Sequence, residues 1–407
     1  MGIEPTTIVP LTGSHRVSRR RLLARRTGFG LLALLVLLSP WEWSLGKAMS
    51  ARSTDSEQAR VAEWVRGQGG GSLVTWAENL QYKLHPPKVG GAPAANSPLL
   101  RVPTGSATPA PSGGPTSAPV TAPAHTAKPA APAKLANVVP VVAPALPGEG
   151  VWQTLATVHG LPAMRAAYLR PDARHTSYTS AIVRMDQHLL STIYHPGTDQ
   201  PGGGPWKLPP NLSGPRRVNL LAAYNSAFRL GDANGGFFNE GRTVAPLRPG
   251  AASMVCYADG HVDVGSWGTE VSMSAGVVSL RQNLLLIVDG GQVVPSINDN
   301  TGQRWGKTIS YRAYVWRTGV GIAANGDVVF AAGNSLSAAT LAELLRRGGA
   351  VRAMELDINP AWTSFNLYNA AAGAHATERK LLPDMQPAVS RYDSSSSRDF
   401  YAVYARP

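Results

Sequence analysis

The chain has 407 residues, one cysteine and a formal net charge of +13. This length exceeds what one ordinary hydrophobic core organises, so several segments are expected. Residues 1–149 carry 15 Lys and Arg against 7 Asp and Glu, whereas residues 150–407 carry 23 against 18. Because most of the excess lies outside the C-terminal part, and no basic stripe alternates with aromatic residues, the charge argues against a nucleic-acid partner. The lone Cys256 excludes an internal disulfide and a site built from several cysteines, and its apolar surroundings predict a buried side chain.

The N-terminal 46 residues have the layout of an export signal or a membrane anchor. A basic segment, 1–27, precedes the apolar run Phe29–Leu38. That run is shorter than the ~20 residues that cross a bilayer, but Trp41 and Trp43 extend it at the interface to a candidate transmembrane anchor over 28–46. The alternatives are a cleaved signal, which the twin-arginine-like start also fits, or neither. By the positive-inside rule we expect residues 1–27 in the cytoplasm. The C-terminal domain is then extracytoplasmic, membrane-anchored or, after cleavage, secreted.

Two further segments precede the main domain. Residues 54–84 follow helical periodicity on both sides of a glycine break, which predicts a pair of short amphipathic helices. These helices pack on themselves or on the main domain, or present a surface to a partner. Residues 86–149 contain 15 of the 33 prolines. This composition is typical of a disordered linker, extended and semi-rigid, between the membrane and a domain.

Residues 150–407 predict an α+β domain with a mostly antiparallel or mixed sheet. Three Asp-Gly or Asn-Gly dipeptides, the last of them Asn325-Gly326, lie between apolar runs and mark hairpins. A helix over 338–347 is flanked by strands 327–332 and 351–357, which together form a βαβ-like crossover. Functional residues tend to lie at the carboxyl ends of such strands.

The strand after the helix ends in two acids. Glu355 and Asp357 lie two residues apart and therefore face the same side of the strand. Burial of an unpartnered carboxylate is costly. This face must open into a site, or each acid must have its own cation or hydrogen-bond donor.

Four stretches resemble the phosphodiester glycosidase domain family, to which the lysosomal "uncovering enzyme" belongs. The stretches are Leu221–Phe228 (LAAYNSAF), Asn234–Phe238 (NGGFF), Trp316–Ile322 (WRTGVGI) and Ala353–Asp357 (AMELD). The resemblance covers roughly residues 215–370. It implies a divergent, bacterial, membrane-tethered member that hydrolyses a glycosyl phosphodiester (a sugar-1-phosphodiester) in the cell envelope.

The resemblance also implies roles for individual residues. Asp357 is the candidate acid/base or nucleophile, with Glu355 as its partner, because many glycosidases use two carboxylates. Arg317 is the candidate phosphate binder, since a guanidinium pairs with two phosphate oxygens. The remaining candidates for substrate binding are Asn225, Asn234, Gly235 and Thr318. The family's asparagine fits either Asn225, by its strand context, or Asn234, by its glycines.

One departure predicts an altered pocket. The family follows Leu-Asp with Gly-Gly and serines, whereas this chain continues with Ile358-Asn359-Pro360. The alternative function is therefore a catalytically silent module that binds an envelope glycan or phosphopolymer on the same fold. A third is a structural scaffold tethered by residues 54–84.

Structural alternatives exist for the single residues. Asp357 is suited to capping a turn with Asn359-Pro360. Glu355 and Arg317 are suited to a buried ion pair. No cofactor is expected, but a divalent cation such as calcium remains an alternative, with oxygen ligands added from residues 298–300. We expect two histidines in loop context to be solvated, His175 and His195.

Overall fold

The computed structural model describes residues 39–50, 55–101, 135–306, 314–369, 373 and 377–407. The predicted basic segment 1–27, most of the candidate anchor 28–46, and residues 102–134 of the predicted linker lie outside these ranges. Within them, no helix combines the length and the apolar character that a membrane crossing requires.

The strands of the described residues, numbered in chain order, form three antiparallel sheets. The large sheet contains, in spatial order, β1 (Gln153–Val158), β2 (Leu161–Leu169), β3 (Ser180–Met185), β14 (Val328–Leu336), β13 (Val315–Ala323), β15 (Ala350–Glu355), β11 (Leu286–Asp289) and β12 (Gln292–Val293). The second sheet contains β17 (Glu378–Lys380), β16 (Phe365–Tyr368), β5 (Leu220–Asn225), β18 (Phe400–Ala405) and β4 (Leu190–His195). The third sheet contains β7 (Arg242–Ala245), β6 (Phe237–Asn239), β10 (Val277–Gln282), β8 (Ala252–Tyr257) and β9 (Val262–Ser266).

The described helices are α1 (Glu57–Gly67), α2 (Gly71–Leu84) and α3 (Ala338–Arg347), and residues 39–50 are also helical. The Ser337 hydroxyl caps α3 by accepting from the Thr340 N–H, and Gly349 after the helix has a φ of +91° that favours glycine. β14 and β15 both pair antiparallel with β13, so they run parallel to each other on either side of it. The predicted α+β class and βαβ-like crossover are confirmed, with one antiparallel strand inserted between the two parallel ones.

The large sheet is buried on both faces, which explains its long apolar runs. One face packs on the leucine stripe of α3, Leu341, Leu344 and Leu345. The other face packs against the second and third sheets in the main core. Cys256 lies in that core and is 2% exposed, and burial raises its pKa to about 12. The prediction of a buried cysteine side chain is confirmed.

The predicted helix pair is present as α1 and α2, joined at a three-glycine turn, and it packs on the main domain. We call residues 55–84 the N-terminal hairpin. Large apolar side chains on its outer side, including Leu73 and Trp76, are 59% and 60% exposed. Packing of the hairpin on the domain is therefore observed, and a surface for a partner stays a prediction.

The described ends of the predicted linker also lie against the domain. Leu99 is 1% exposed and belongs to the main core. Glu149 forms a buried ion pair with Arg170 at 2.8 Å. Residues 86–101 and 135–149 therefore belong structurally with the domain, and an extended spacer stays a prediction for residues 102–134.

Candidate active site

The ends of β15 and β5, from two sheets, meet β13 beside Asp357. β15 ends at Glu355, and the ladder continues because the Leu356 N–H donates to the Thr318 carbonyl at 2.8 Å. The Thr318 N–H donates back to the Asp357 carbonyl at 2.9 Å. β5 ends at Asn225, whose Nδ2 donates to Thr318 Oγ1 at 3.0 Å. Asn225, Thr318 and Asp357 thus form one buried network at the edge where the large and second sheets meet.

The Asp357 carboxylate has two kinds of partner. Oδ1 accepts from the backbone N–H groups of Ile358 at 2.7 Å and Asn359 at 2.9 Å. Oδ2 accepts from Arg398 Nη2 at 3.3 Å. The turn-capping alternative is therefore observed, but it uses only one oxygen and leaves the other for a charged partner.

Burial dominates the electrostatics of Asp357. The residue is 3% exposed, and burial raises the pKa of its carboxyl to about 6. Arg398 and the two backbone donors oppose this shift but do not cancel it. A carboxyl with a pKa of about 6 exchanges its proton near neutral pH, as general acid–base catalysis requires.

Glu355 and Arg317 form the buried ion pair named as the structural alternative. Arg317 Nη1 lies 2.5 Å from Glu355 Oε2, and Arg317 Nε donates to the Leu336 carbonyl at 2.9 Å. Both side chains are buried, at 0% and 2% exposure. Burial raises the pKa of Glu355 above its usual value, and the positive charge of Arg317 opposes this shift without cancelling it. The roles of Arg317 as phosphate binder and Glu355 as catalytic partner stay predictions, but the geometry favours the ion pair.

The two candidate asparagines lie in different environments. Asn225 is 4% exposed and belongs to the Asp357 network, and its Oδ1 accepts from the Ser364 N–H at 3.0 Å. Asn234 is exposed, has a φ of +46° and contacts Arg248. Gly235 packs so closely that a Cβ would lie 2.5 Å from Gln282 Cβ. Asn225 therefore belongs to the Asp357 network, whereas Asn234 and Gly235 lie in a separate turn, and their roles in substrate binding stay predictions.

The structure adds two arginines that motif analysis missed. Arg398 precedes β18, and Arg391 lies in a short 3₁₀ turn, Val389–Tyr392. Their guanidinium carbons lie 5.0 and 4.9 Å from the ring centre of Trp362, so both stack on one indole. Neither arginine lies in a motif, because both follow the family-like stretches in the chain. The one sequence signal that could have indicated them is Trp362, an aromatic residue in the loop that departs from the family pattern after Asp357.

The N-terminal hairpin contributes acids to this cluster. Asp55 Oδ1 lies 3.3 Å from Arg391 Nη1. Glu63 Oε1 lies 3.8 Å from Arg398 Nη1, and Glu63 Oε2 lies 2.9 Å from Arg229 Nη1. The sequence placed these acids on a short amphipathic helix but gave no reason to connect them with Asp357.

The residues after Asp357, Ile358-Asn359-Pro360, differ from the family's glycines, and the structure shows why they fit here. Neither Ile358 nor Asn359 has a positive φ, so this loop does not require glycine. Ile358 packs with the small apolar cluster around Phe228, and Asn359 Nδ2 donates to Glu78 of the hairpin at 3.3 Å. The side chains that replace the family's glycines therefore fill space and contact the hairpin.

Other candidates lie elsewhere. Asp299, named as an additional ligand for a divalent cation, lies 3.8 Å from Arg304. Within the described ranges, no three His, Cys, Asp or Glu side chains are grouped so that they could hold a metal ion. The expectation of solvated histidines is wrong, because His175 and His195 are 2% and 1% exposed. His175 Nδ1 is hydrogen-bonded to the Asp172 carboxylate, and His195 Nδ1 is hydrogen-bonded to the Pro209 carbonyl.

Comparison with known proteins gives one family match. A model described as phosphodiester glycosidase matches residues 219–357. The chain has no significant match among curated protein sequences. Among solved structures it is similar to a zebrafish N-acetylglucosamine-1-phosphodiester alpha-N-acetylglucosaminidase catalytic domain, described as auto-inhibited by its pro-peptide. Identity is 15%, the TM-score is 0.41, and the alignment covers 63% of this chain and 88% of that one. A hypothetical protein from Synechocystis aligns with 12% identity and a TM-score of 0.35, over 61% of this chain and 63% of the other.

Proposed function

Because residues 219–357 belong to the phosphodiester glycosidase family, we propose that the domain hydrolyses a sugar-1-phosphodiester with Asp357 as the catalytic residue. The observation that carries this proposal is the position of Asp357. It lies just beyond the end of β15, is linked through Thr318 of β13 to the end of β5, has a pKa of about 6, and is 3.3 Å from Arg398.

The geometry suggests a division of labour. The ionised Asp357 takes a proton from water while the water oxygen forms a bond to the anomeric carbon. The bond between that carbon and the phosphodiester oxygen breaks, and a phosphomonoester leaves. Arg398 is better placed than Arg317 to stabilise this leaving group, because it contacts Asp357 and is not paired with Glu355. Asn225 and Thr318 hold the strand ends, and thereby Asp357, in place.

A catalytically silent module is the second candidate. It is favoured by the replacement of the family's glycines, since Asn359 contacts the hairpin instead of leaving an open cradle. Such a protein would bind a glycan or phosphopolymer through the same cleft without turnover.

The test is to purify the full chain and offer it a panel of sugar-1-phosphodiesters, with the sugar and the phosphomonoester measured separately. We expect stoichiometric release of both from at least one substrate, and none above background with Asp357→Asn. Binding of panel members without release by either protein favours the silent module.

We further propose that the domain works in the cell envelope and is tethered through residues 28–46. The basic segment followed by an apolar run supports this proposal. Cell fractionation tests it: the chain should remain with the membranes after a high-salt wash, and recovery in the extracellular fraction would refute the anchor.

A further inference from the structure

One face of α2 is apolar and exposed. Leu73, Trp76, Leu80 and Leu84 recur every three or four residues, so at about 3.6 residues per turn they share one face within an arc of about 80°. They are 59%, 60%, 42% and 66% exposed, and we call them the outer stripe. A helix of a soluble domain normally buries such a stripe, so an exposed one indicates a surface that a partner covers.

The opposite face of α2 contacts the main domain through polar groups. Glu78 Oε1 accepts from Asn359 Nδ2 at 3.3 Å. The Tyr82 hydroxyl donates to the Tyr314 carbonyl at 2.7 Å. At about 100° per residue, Glu78 and Tyr82 lie about 140° and 180° from Leu73 around the helix axis. Because these contacts set the rotation of α2 on the domain, the outer stripe points away from the domain.

The stripe differs from the scattered apolar residues on the rest of the surface. On the described part of residues 150–407, the most exposed large apolar residue is Val218, at 49%. Single residues of this kind are normal on soluble proteins and need no partner. Four aligned residues on one helix form a continuous surface, which single residues do not.

The hairpin is attached to the chain that leaves the apolar N-terminal run. A helical segment over 39–50 directly follows that run. The Trp41 and Trp64 rings meet edge to face, with 5.9 Å between their centres. Trp64 Nε1 also donates to Ser44 Oγ at 3.1 Å. α1 therefore packs on the C-terminal end of the candidate anchor 28–46.

This packing sets the height of the hairpin relative to a bilayer. With residues 28–46 across the membrane, Trp41 and Trp43 lie at the level of the lipid headgroups, where tryptophan is enriched. Trp43 is 71% exposed, as a side chain in contact with lipid would be in the absence of lipid. Trp64 contacts Trp41 and therefore lies at the same level, which brings the hairpin to the membrane surface.

Exposed lysines accompany the apolar residues. Lys83 precedes Leu84 of the outer stripe, and Lys47 Nζ lies 5.4 Å from the ring centre of Trp43. Lysine side chains in such positions extend their charge to anionic headgroups while their alkyl stems cover apolar surface. An apolar face with flanking cations is typical of a helix that lies in the plane of the membrane interface.

We propose that the outer stripe docks α2 on the surface of a phospholipid bilayer, with its four apolar side chains at the boundary between headgroups and acyl chains. The proposal rests on the proposed tether through residues 28–46, because the tether brings α2 to the bilayer. The main domain packs on the other face of α2, so docking holds this domain close to the membrane surface.

The test places a nitroxide label at Leu80→Cys in the full chain, reconstituted in vesicles of equal parts phosphatidylethanolamine and phosphatidylglycerol. Cys256, the one native cysteine, is buried in the core, so the introduced thiol is the one that takes the label. Relaxation of the label is measured with oxygen, which partitions into lipid, and with a water-soluble nickel chelate. The ratio of the oxygen effect to the chelate effect reports whether the label lies in lipid or in water.

The matched control is Val278→Cys. Leu80 and Val278 are both 42% exposed, and Val278 lies in the third sheet, whose strands take no part in the hairpin contacts described above. The ratio should be several-fold higher at Leu80 than at Val278. Equal ratios at the two positions would overturn the docking. A Leu80 label shielded from both reagents would also overturn it, since protein, either a second copy or another segment of this chain, then covers the stripe.

Flotation of the vesicles tests the tether separately. The variant Leu73→Ser/Trp76→Ser changes two exposed side chains of the stripe and should still float with the vesicles, because residues 28–46 hold it there. A variant that stays in the aqueous fraction while the wild type floats would refute the tether and support the docking. A wild type that does not float would refute both.

Discussion

Arg398 joins Asp357 to Glu63, with Nη2 at 3.3 Å from Asp357 Oδ2 and Nη1 at 3.8 Å from Glu63 Oε1. One guanidinium thus connects the candidate catalytic carboxyl with a helix about 300 residues earlier in the chain. The same arginine therefore affects the charge of Asp357, the attachment of the hairpin to the domain and the proposed stabilisation of the leaving group.

The first prediction concerns the pH dependence of catalysis. Because the ionised form of Asp357 acts as the base and its pKa is about 6, kcat/KM should rise with pH through a midpoint near 6. A profile without an acid limb near this pH would contradict the role of Asp357 as base.

The second prediction concerns stability. The folded-state pKa of Asp357 is about 6, above the usual 3.8. The protonated carboxyl therefore contributes stability that is complete below pH 3.8 and is lost as pH rises through 6. Asp357→Asn cannot ionise, so it should lose less stability than the wild type between pH 4 and pH 7, by up to about 3 kcal/mol. Thermal melts of both proteins across this range test the prediction, and parallel curves would contradict it.

The third prediction separates the two interpretations of Arg317. If it serves the buried pair, Arg317→Gln leaves Glu355 buried without its cation and should cost about 3 kcal/mol or more of the free energy of unfolding. The paired variant Arg317→Met/Glu355→Leu should recover most of that loss. Denaturant unfolding measures both. An Arg317→Gln protein of wild-type stability with a raised KM would restore Arg317 as the phosphate binder.

The fourth prediction concerns the two asparagines. Asn225→Ala removes hydrogen bonds to Thr318 Oγ1 and the Ser364 N–H, so it should lower stability by about 1–3 kcal/mol and reduce kcat. The matched change at the other position, Asn234→Gly, should be nearly neutral, because glycine accepts the positive φ there. A large loss of turnover in Asn234→Gly with none in Asn225→Ala would reverse the assignment.

Local patterns in the sequence predicted the fold class, the hairpins and the crossover, but not the arrangement of the strands in three sheets. The turn dipeptides marked the hairpins, and the helix predicted over 338–347 is present as α3 with the same bounds. These signals depend only on residues close together in the chain, so they can be recognised without knowledge of the tertiary structure. The position of Asp357 at a strand end followed from the same crossover.

The rest of the site depends on contacts across the chain. Arg391 and Arg398 lie near the C-terminus, Asp55 and Glu63 near the N-terminus, and no sequence spacing relates them. Arg317 lies in a family-like motif, and its pairing with Glu355 was one of two interpretations that the sequence left open; the antiparallel register of β13 with β15 brings the two side chains together. Which residues meet across paired strands depends on the register of those strands, and the periodicity of a single strand does not reveal its register.

The most direct test of the central claim, hydrolysis at the anomeric carbon with Asp357 as base, is turnover in ¹⁸O-labelled water by the full chain. Each phosphodiester of the panel that is cleaved should yield labelled sugar and unlabelled phosphomonoester. Adding Asp357→Asn should slow release by about 100-fold or more, the scale expected for loss of a general base. Label in the phosphate, or a rate unchanged by Asp357→Asn, would contradict the mechanism.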